Sequence, residues 1–125
     1  MFSLGVRREF IARHFLTGGE WGDENIEHSH RYRMELVLEA MTLDRHGFLV
    51  DIVDVERHLD EITAEFQGKT LNALTAFSGL NPSIERLAAI IHAAFQKRLA
   101  HLPLAALAVT IWEDDIAWTS YRTRL

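Results

Sequence analysis

Two long stretches near the N-terminus, in which apolar and polar side chains alternate, constrain the fold of this chain most strongly. In the first stretch one parity is almost entirely apolar and comprises Phe2, Leu4, Val6, Phe10, Ala12 and His14. In the second stretch the corresponding face comprises His28, His30, Tyr32, Met34, Leu36 and Leu38. A period of two places successive side chains on opposite faces of a strand. The pattern therefore predicts two half-buried strands, joined by a polar, glycine-rich segment over residues 17–27.

Two later segments carry apolar residues at spacings of three and four, which is typical of amphipathic helices. The first stripe comprises Ile52, Val55, Leu59, Ile62 and Phe66. Asp51 or Asp54 is its predicted N-cap, and Gly68 ends it. The second stripe comprises Ile84, Leu87, Ala88, Ile91, Phe95 and Leu99. Asn81 is predicted to cap this helix, with Pro82 at its first position, where a missing N–H costs nothing.

Turn residues separate the remaining elements. Residues 43–47 form a predicted turn and residues 69–80 a loop, while two β-rich runs over 104–112 and 116–121 flank an acidic turn and predict a hairpin. The resulting order, ββααββ, predicts an α+β fold, with a four-stranded antiparallel sheet and two helices on one face. So small an open sheet has two edges that need cover, and we therefore expect a closed oligomer.

Composition excludes several classes of function. With 125 residues, 48% of them hydrophobic and 25% charged, the chain is expected to form one globular domain over residues 1–125. Its net charge of −5 disfavours nucleic-acid binding. The absence of cysteine excludes disulfides, cysteine-ligated zinc and thiolate catalysis. No apolar stretch approaches the roughly 18 residues of a membrane span, and Met1–Phe10 lacks the apolar core of a signal peptide, so we expect a cytoplasmic protein without a membrane partner.

Three histidines fall where the predicted strands would bring them together. His28 and His30 leave the same face of one strand, about 7 Å apart along the backbone. His14 ends the preceding strand on its apolar face, so antiparallel pairing would place all three at one edge of the sheet. Three imidazole nitrogens with an open fourth position are typical of a catalytic zinc site. The alternative is that the histidines are solvated or hydrogen-bonded strand ends, because a His-x-His pair is a weak signal by itself.

Six short segments in order resemble one known family. They are Phe10-Ile-Ala-Arg-His14, His28-Ser-His-Arg-Tyr32, Gly47-Phe-Leu-Val-Asp51, Leu71-Asn72, Asn81-Pro-Ser-Ile-Glu85 with Leu87-Ala88, and a late strand that ends in Glu113. Their order and spacing resemble the 6-pyruvoyl-tetrahydropterin synthase and 6-carboxy-tetrahydropterin synthase (QueD-like) family over nearly the whole chain. The resemblance implies the tunnelling fold, in which trimers close their sheets into a barrel and usually stack as hexamers. Pterin-type ligands would then lie between neighbouring subunits.

The resemblance also implies roles for individual residues. His14, His28 and His30 would be zinc ligands, and Glu113 would hold the pterin ring, since a carboxylate can accept paired N–H bonds. Without the family, Glu113 would be interpreted as a solvated residue before a turn. The implied reaction changes the side chain of a dihydropterin such as 7,8-dihydroneopterin triphosphate, in queuosine, biopterin or folate precursor synthesis.

The sequence departs from the family at the catalytic positions. The family's cysteine is missing, and Glu24 stands four residues before His28, where QueD-like members have that cysteine. The family's Asp-His pair is also missing, since Phe66-Gln-Gly-Lys-Thr70 stands in its place. Ser29 replaces the usual glycine between the two histidines, and Ser83 replaces a threonine that can cap a helix equally well.

These departures leave several hypotheses open. Abstraction of a proton from carbon needs a base, and Glu24 is the candidate that the spacing favours, provided that it is desolvated beside the metal. A related subgroup uses glutamate in place of cysteine and cleaves dihydroneopterin to a 6-hydroxymethyl pterin, although its glutamate spacing does not obviously match. Alternatively, Glu24 is one of several solvated loop acids. Glu27, which is adjacent to His28, could orient a metal-ligating side chain by a hydrogen bond without touching the metal itself.

The first functional hypothesis is therefore a zinc-dependent pterin lyase or synthase. The second is a homologue that binds a pterin or purine without the synthase reaction, and the third is a metal-free interaction module. The four remaining histidines are expected at turns or on exposed helix faces, and we assign them no role; they are His46, His58, His92 and His101. An open alternative is that His92, which follows the apolar Ile91, substitutes for the missing Asp-His pair from the second helix.

Overall fold

A four-stranded antiparallel sheet with two helices makes up the computed structural model, which describes residues 1–125. The strands are β1 (Phe2–His14), β2 (His28–Ala40), β3 (Ala106–Trp112) and β4 (Trp118–Arg124), and their order in the sheet is their order in the chain. The helices α1 (Ile52–Ala64) and α2 (Ile84–Arg98) lie between the two hairpins in sequence. Three short 3-10 helices occupy stretches expected as loops, namely Gly22–Asn25, Leu71–Ala73 and Thr75–Phe77. The predicted ββααββ order is confirmed.

The strands β1 and β2 pair along their whole length, from Phe2 opposite Ala40 to His14 opposite His28. Their alternation places one parity in the core, where Phe10, Tyr32 and the apolar residues that follow on β2 are almost completely buried. The buried faces of α1 and α2 pack on this side of the sheet and complete the apolar core. As a result, the three histidines lie at one end of the buried face.

The first helix begins as the sequence predicts. Asp51 is its N-cap, since the Asp51 carboxylate accepts a hydrogen bond from the backbone N–H of Val53 at 3.0 Å. Gly68 follows the helix with a φ of 72°, a conformation that glycine adopts without steric cost. The alternative cap, Asp54, lies inside the first turn.

The predicted start of the second helix is wrong by two residues. Ser83, rather than Asn81, is the N-cap, and its hydroxyl accepts a hydrogen bond from the backbone N–H of Arg86 at 3.2 Å. Pro82 therefore precedes the helix. The side chain of Asn81 instead contacts the backbone of Thr17, a residue far away in sequence. Local patterns do not reveal such a competing partner.

The second hairpin is also displaced from its predicted bounds. The strand β3 begins at Ala106 instead of residue 104, and β4 covers Trp118–Arg124 instead of residues 116–121. The Asp114 carboxylate accepts hydrogen bonds from the backbone N–H groups of Ile116 and Ala117, both at 2.8 Å, and so extends the turn. These two backbone hydrogen bonds lower the pKa of Asp114, and the bond from Ala117 has the larger effect.

Residues 67–70 cover one part of the outer edge of β1. The backbone N–H of Ile11 donates to the side-chain oxygen of Gln67 at 2.9 Å, and its carbonyl accepts from Gly68 at 2.7 Å. Further along, the N–H of Arg13 donates to the carbonyl of Lys69 at 2.8 Å.

No helix combines the length and the apolar character that a membrane span requires.

Candidate metal centre

Three histidines and one glutamate converge at the end of the first hairpin. His14 and His28 are direct cross-strand partners, and His30 lies two residues further along the same face of β2. Glu24 reaches the group from the 3-10 helix Gly22–Asn25. Each of the four side chains offers one ligand atom, and these atoms all lie within 4.8 Å of one another. The structure thus brings together the three histidines and the glutamate that the sequence singled out.

Backbone carbonyls orient two of the imidazoles. The Nδ1 atom of His14 lies 2.8 Å from the carbonyl oxygen of Pro82, and the Nδ1 atom of His28 lies 2.6 Å from that of Ile26. Because a carbonyl only accepts, each Nδ1 is a protonated ring nitrogen, and in an uncharged imidazole Nε2 then carries the lone pair. The two Nε2 atoms face each other at 3.0 Å. Two lone pairs at this distance repel each other unless a cation lies between them.

The third imidazole has an unsatisfied nitrogen. The Nε2 atom of His30 is buried and has no hydrogen-bond partner. A carboxylate oxygen of Glu113 is 3.3 Å away, but this contact does not meet hydrogen-bond geometry. Burial lowers the pKa of His30, and His14 and His28 add to the shift while Glu113 opposes it. An uncharged imidazole with a free lone pair is the form that binds metals.

This donor set fits a zinc ion. Ligand nitrogens about 2.0–2.1 Å from a tetrahedral zinc are about 3.3–3.4 Å apart. The Nε2 atoms of His14 and His28, at 3.0 Å, are near this spacing, whereas donor atoms elsewhere in the cluster lie up to 4.8 Å apart and would move closer on binding. A cation would also satisfy the orphaned nitrogen of His30, which is otherwise unusual for a buried polar atom. Three imidazoles with room for a further ligand are typical of catalytic rather than structural sites.

Glu24 lies beside the histidines rather than in free solvent. Its Oε2 atom is 3.1 Å from the Nε2 atom of His28. Its side chain is about half exposed, so the desolvation expected of a base is incomplete within the single chain. The backbone carbonyl of Glu24 accepts a hydrogen bond from Leu16 at 2.7 Å, which ties the glutamate to the chain just after His14. Glu27, the alternative ligand-orienting residue, contacts Thr70 at 2.7 Å and Arg13 at 3.5 Å instead.

Glu113 lies immediately after β3 and shares a cavity with His30. The cavity has a volume of about 350 Å³, and it is lined by Glu9, Ser29, His30, Arg31, Arg33, Glu113, Asp114 and Asp115. This volume is within the roughly 300–1,000 Å³ of small-molecule sites. Beneath it, Tyr32 is fully buried, and burial raises the pKa of its phenol, as Glu113 and Glu24 also do. Tyr32 therefore stays protonated below the cluster.

The expectation that His92 occupies an exposed helix face is wrong. His92 is buried between α2 and the sheet, with its Nε2 atom 3.1 Å from the Thr123 hydroxyl and 3.3 Å from the Leu107 carbonyl. Leu107 pairs with Leu38, at the far end of β2 from His30. His92 therefore cannot replace the missing Asp-His pair within its own chain.

Sequence reasoning missed the groups that hold the cluster in place. The carbonyls of Pro82 and Ile26 orient His14 and His28, and the side chains of Asn72 and Asn81 contact the chain that follows β1. Leu71-Asn72 and Asn81-Pro82 were already part of the family resemblance. The match of these two segments to the family pattern was the sequence signal for Asn72 and Asn81, but an asparagine by itself does not point to a metal site.

The sheet order, the two helices on one face and the histidine cluster at the end of the first hairpin are those expected of the tunnelling fold. The family model described as 6-pyruvoyl tetrahydropterin synthase matches residues 3–124. The chain belongs to this family. Family membership supports a pterin-related synthase or lyase function. The comparison with curated proteins gives no match.

Solved structures confirm the fold. The 6-pyruvoyl tetrahydropterin synthase of Caenorhabditis elegans is similar with a TM-score of 0.78 and 17% identity, covering 98% of this chain and 95% of that one. The Plasmodium vivax synthase gives a TM-score of 0.79 and 13% identity, with 99% and 98% covered. Two further P. vivax structures carry alanine or cysteine in place of a glutamate described as a catalytic residue.

A more distant structure is a dihydroneopterin aldolase from Burkholderia, which was solved with bound guanine. It is similar with a TM-score of 0.51 and 15% identity, covering 99% of this chain and 91% of that one. At these identities the likeness of all the solved structures establishes the fold alone.

Proposed function

We propose that this protein is a zinc-dependent lyase or synthase that acts on the side chain of a dihydropterin, such as 7,8-dihydroneopterin triphosphate. The observation that carries the proposal is the convergence of three imidazoles and one carboxylate within 4.8 Å. Family membership supplies the pterin class of substrate.

In this proposal His14, His28 and His30 hold the zinc ion. When bound, zinc supplies a Lewis acid that polarises a hydroxyl or carbonyl group of the substrate side chain. Glu113 grips the pterin ring, because its carboxylate can accept two N–H bonds from the ring's amino and imino nitrogens. Its position against His30, at 3.3 Å, would place a ring bound there next to the cluster.

Glu24 is the proposed base that removes a proton from carbon. The position of its carboxylate, 3.1 Å from the Nε2 atom of His28, supports this role, because a substrate side chain at the cluster would lie within its reach. The catalytic glutamate described for the P. vivax protein shows that a glutamate can act in this family. The chain has no cysteine, and residues 66–70 contain neither an acid nor a histidine.

The test is the Glu24→Gln variant, assayed with zinc-loaded protein and either dihydroneopterin triphosphate or dihydroneopterin. General base catalysis contributes about 10²–10⁴-fold, so kcat should fall by that factor while zinc remains bound. Glu20→Gln, an exposed acid in the same loop, is the matched control and should keep full activity. Full activity of the Glu24→Gln variant would show that the base has been misassigned.

A second candidate function is binding of a pterin or purine without the synthase reaction. One observation favours it: residues 67–70, which replace the family's Asp-His pair, hydrogen-bond to the edge of β1 and present neither an acid nor a histidine. Chromatography of the products distinguishes the two functions. Saturable binding of both substrates without any turnover would favour the second.

We also propose that the working unit is a homo-oligomer, a trimer or hexamer, with the ligand between subunits. The support is that the outer edge of β4 and most of that of β1 have no partner strand within the chain. Sedimentation equilibrium should give a mass of three or six chains, and a monomer at micromolar concentration would contradict this proposal.

A further inference from the structure

A short extended segment connects the proposed base to one of the proposed metal ligands. We call residues 15–17, which follow His14 directly, the strap. In an extended segment, successive backbone N–H and C=O groups point to opposite sides. Those of Phe15 and Thr17 point to one side of the strap, and those of Leu16 point to the other. Each side has its own set of partners.

Two asparagine side chains hold the first side. The amide of Asn72 accepts a hydrogen bond from the Phe15 N–H at 3.0 Å and donates one to the Phe15 carbonyl at 2.9 Å. The amide of Asn81 makes the same pair of bonds to Thr17, at 3.1 and 3.4 Å. Each side chain thus acts as one peptide group of a neighbouring strand, because an amide offers one donor and one acceptor side by side.

The other side of the strap holds the loop that carries Glu24. The N–H of Leu16 donates to the Glu24 carbonyl at 2.7 Å, and the Leu16 carbonyl accepts from the side chain of Asn25 at 3.0 Å. The same Asn25 side chain bonds the loop at Trp21 and Gly19. A displacement of the strap would therefore move Glu24.

The asparagines also rest on fixed parts of the core. Asn72 follows Leu71, which is completely buried. Asn81 precedes Pro82, which is buried and whose carbonyl orients the imidazole of His14. The loop over residues 71–82 consequently sets the position of His14 both through its ring and through the backbone that follows it.

We infer that Asn72 and Asn81 are positioning residues, which fix His14 and Glu24 relative to each other around the metal. This inference rests on the proposed function, because it takes the histidine cluster as the metal site. Groups that bond a ligating ring directly, as the Pro82 carbonyl bonds His14, are commonly worth 10–100-fold in metal affinity. Asn72 and Asn81 act one step further back, through the backbone, so their effect should lie at the low end of this range. Because Asn72 is bonded to the residue next to His14, its loss should lower metal affinity more than the loss of Asn81.

The test is cobalt binding by the full-length protein, followed by its visible absorption spectrum and by competition with a chelator. In Asn72→Asp, an ionised carboxylate can accept from the Phe15 N–H but repels the Phe15 carbonyl. We expect cobalt affinity to fall by about tenfold in this variant and in Asn72→Ala, with an altered spectrum that reports changed coordination. Asn81→Ala should lower cobalt affinity and alter the spectrum to a smaller extent. This variant tests the inference if both Asn72 variants fail to fold.

The matched control is Gln67→Ala. The Gln67 amide also accepts a backbone N–H bond from β1, but at Ile11, three residues before His14. This variant should bind cobalt as the wild type does.

The readout separates positioning from stability alone. Folded Asn72 and Asn81 variants with wild-type affinity and spectrum would overturn the inference, whatever their melting temperatures, and leave the proposed function intact. A wild-type protein that binds neither cobalt nor zinc would overturn both.

Discussion

Zinc should stabilise this protein against unfolding by an amount that depends on free zinc in a defined way. The native chain holds the Nε2 atoms of His14 and His28 at 3.0 Å, with both rings already oriented by carbonyls. The unfolded chain does not bring these rings together, so the proposed zinc ion should bind preferentially to the native state. Removal of zinc by a chelator is therefore predicted to lower the free energy of unfolding.

The size of this effect follows from linkage. At a free zinc concentration of about 100 times the dissociation constant, the native state gains about 2.7 kcal/mol, and each further tenfold adds about 1.4 kcal/mol. For a chain of this length, 1 kcal/mol corresponds to about 4 °C in melting temperature. The expected rise at 100 times the dissociation constant is therefore about 11 °C.

The assay is thermal unfolding followed by circular dichroism, in buffers that fix free zinc at one protein concentration. His30→Ala should abolish the dependence on zinc, because it removes the buried nitrogen that has no other partner. His101→Ala, an exposed histidine outside the cluster, should retain it. A melting temperature that is independent of free zinc, or an equal shift in the His30→Ala variant, would refute the reasoning.

Two further predictions concern parts of the fold away from the metal. Burial lowers the pKa of His92 below its usual 6.5, although the Leu107 carbonyl opposes the shift. As the pH falls below 6.5, His92 therefore takes up a proton more readily in the unfolded chain than in the native one. Stability of the zinc-free protein should therefore fall as the pH drops from 7.5 to 5.5, and by less in His92→Gln; equal losses in urea unfolding would contradict this. Asp51→Ala should cost about 1 kcal/mol through loss of the helix cap, whereas Asp51→Asn should be nearly neutral in the same measurement.

Much of the fold could be predicted from periodicity because its strands are half-buried. The alternation over residues 2–14 and 28–39 fixes which face enters the core, and a slip of one residue would expose that whole face. The pairing of His14 with His28 follows from such a hairpin. The convergence of the three histidines was therefore predictable before any coordinates were available.

Contacts distant in sequence account for what could not be predicted. The start of α2 is shifted because Asn81 binds Thr17, and the burial of His92 depends on β4 packing over α2. The position of Glu24 depends on the strap and on Asn25. Local patterns carry no information on these contacts, since each involves a side chain that is equally common in exposed loops.

The zinc content of the purified protein, measured by elemental analysis against protein concentration, tests the proposed metal site most directly. The wild type should contain about one zinc ion per chain, and the double variant His28→Ala/His30→Ala almost none. Wild-type protein that remains free of zinc after loading, or a double variant that retains the wild-type content, would contradict the assignment of the histidine cluster as a metal site.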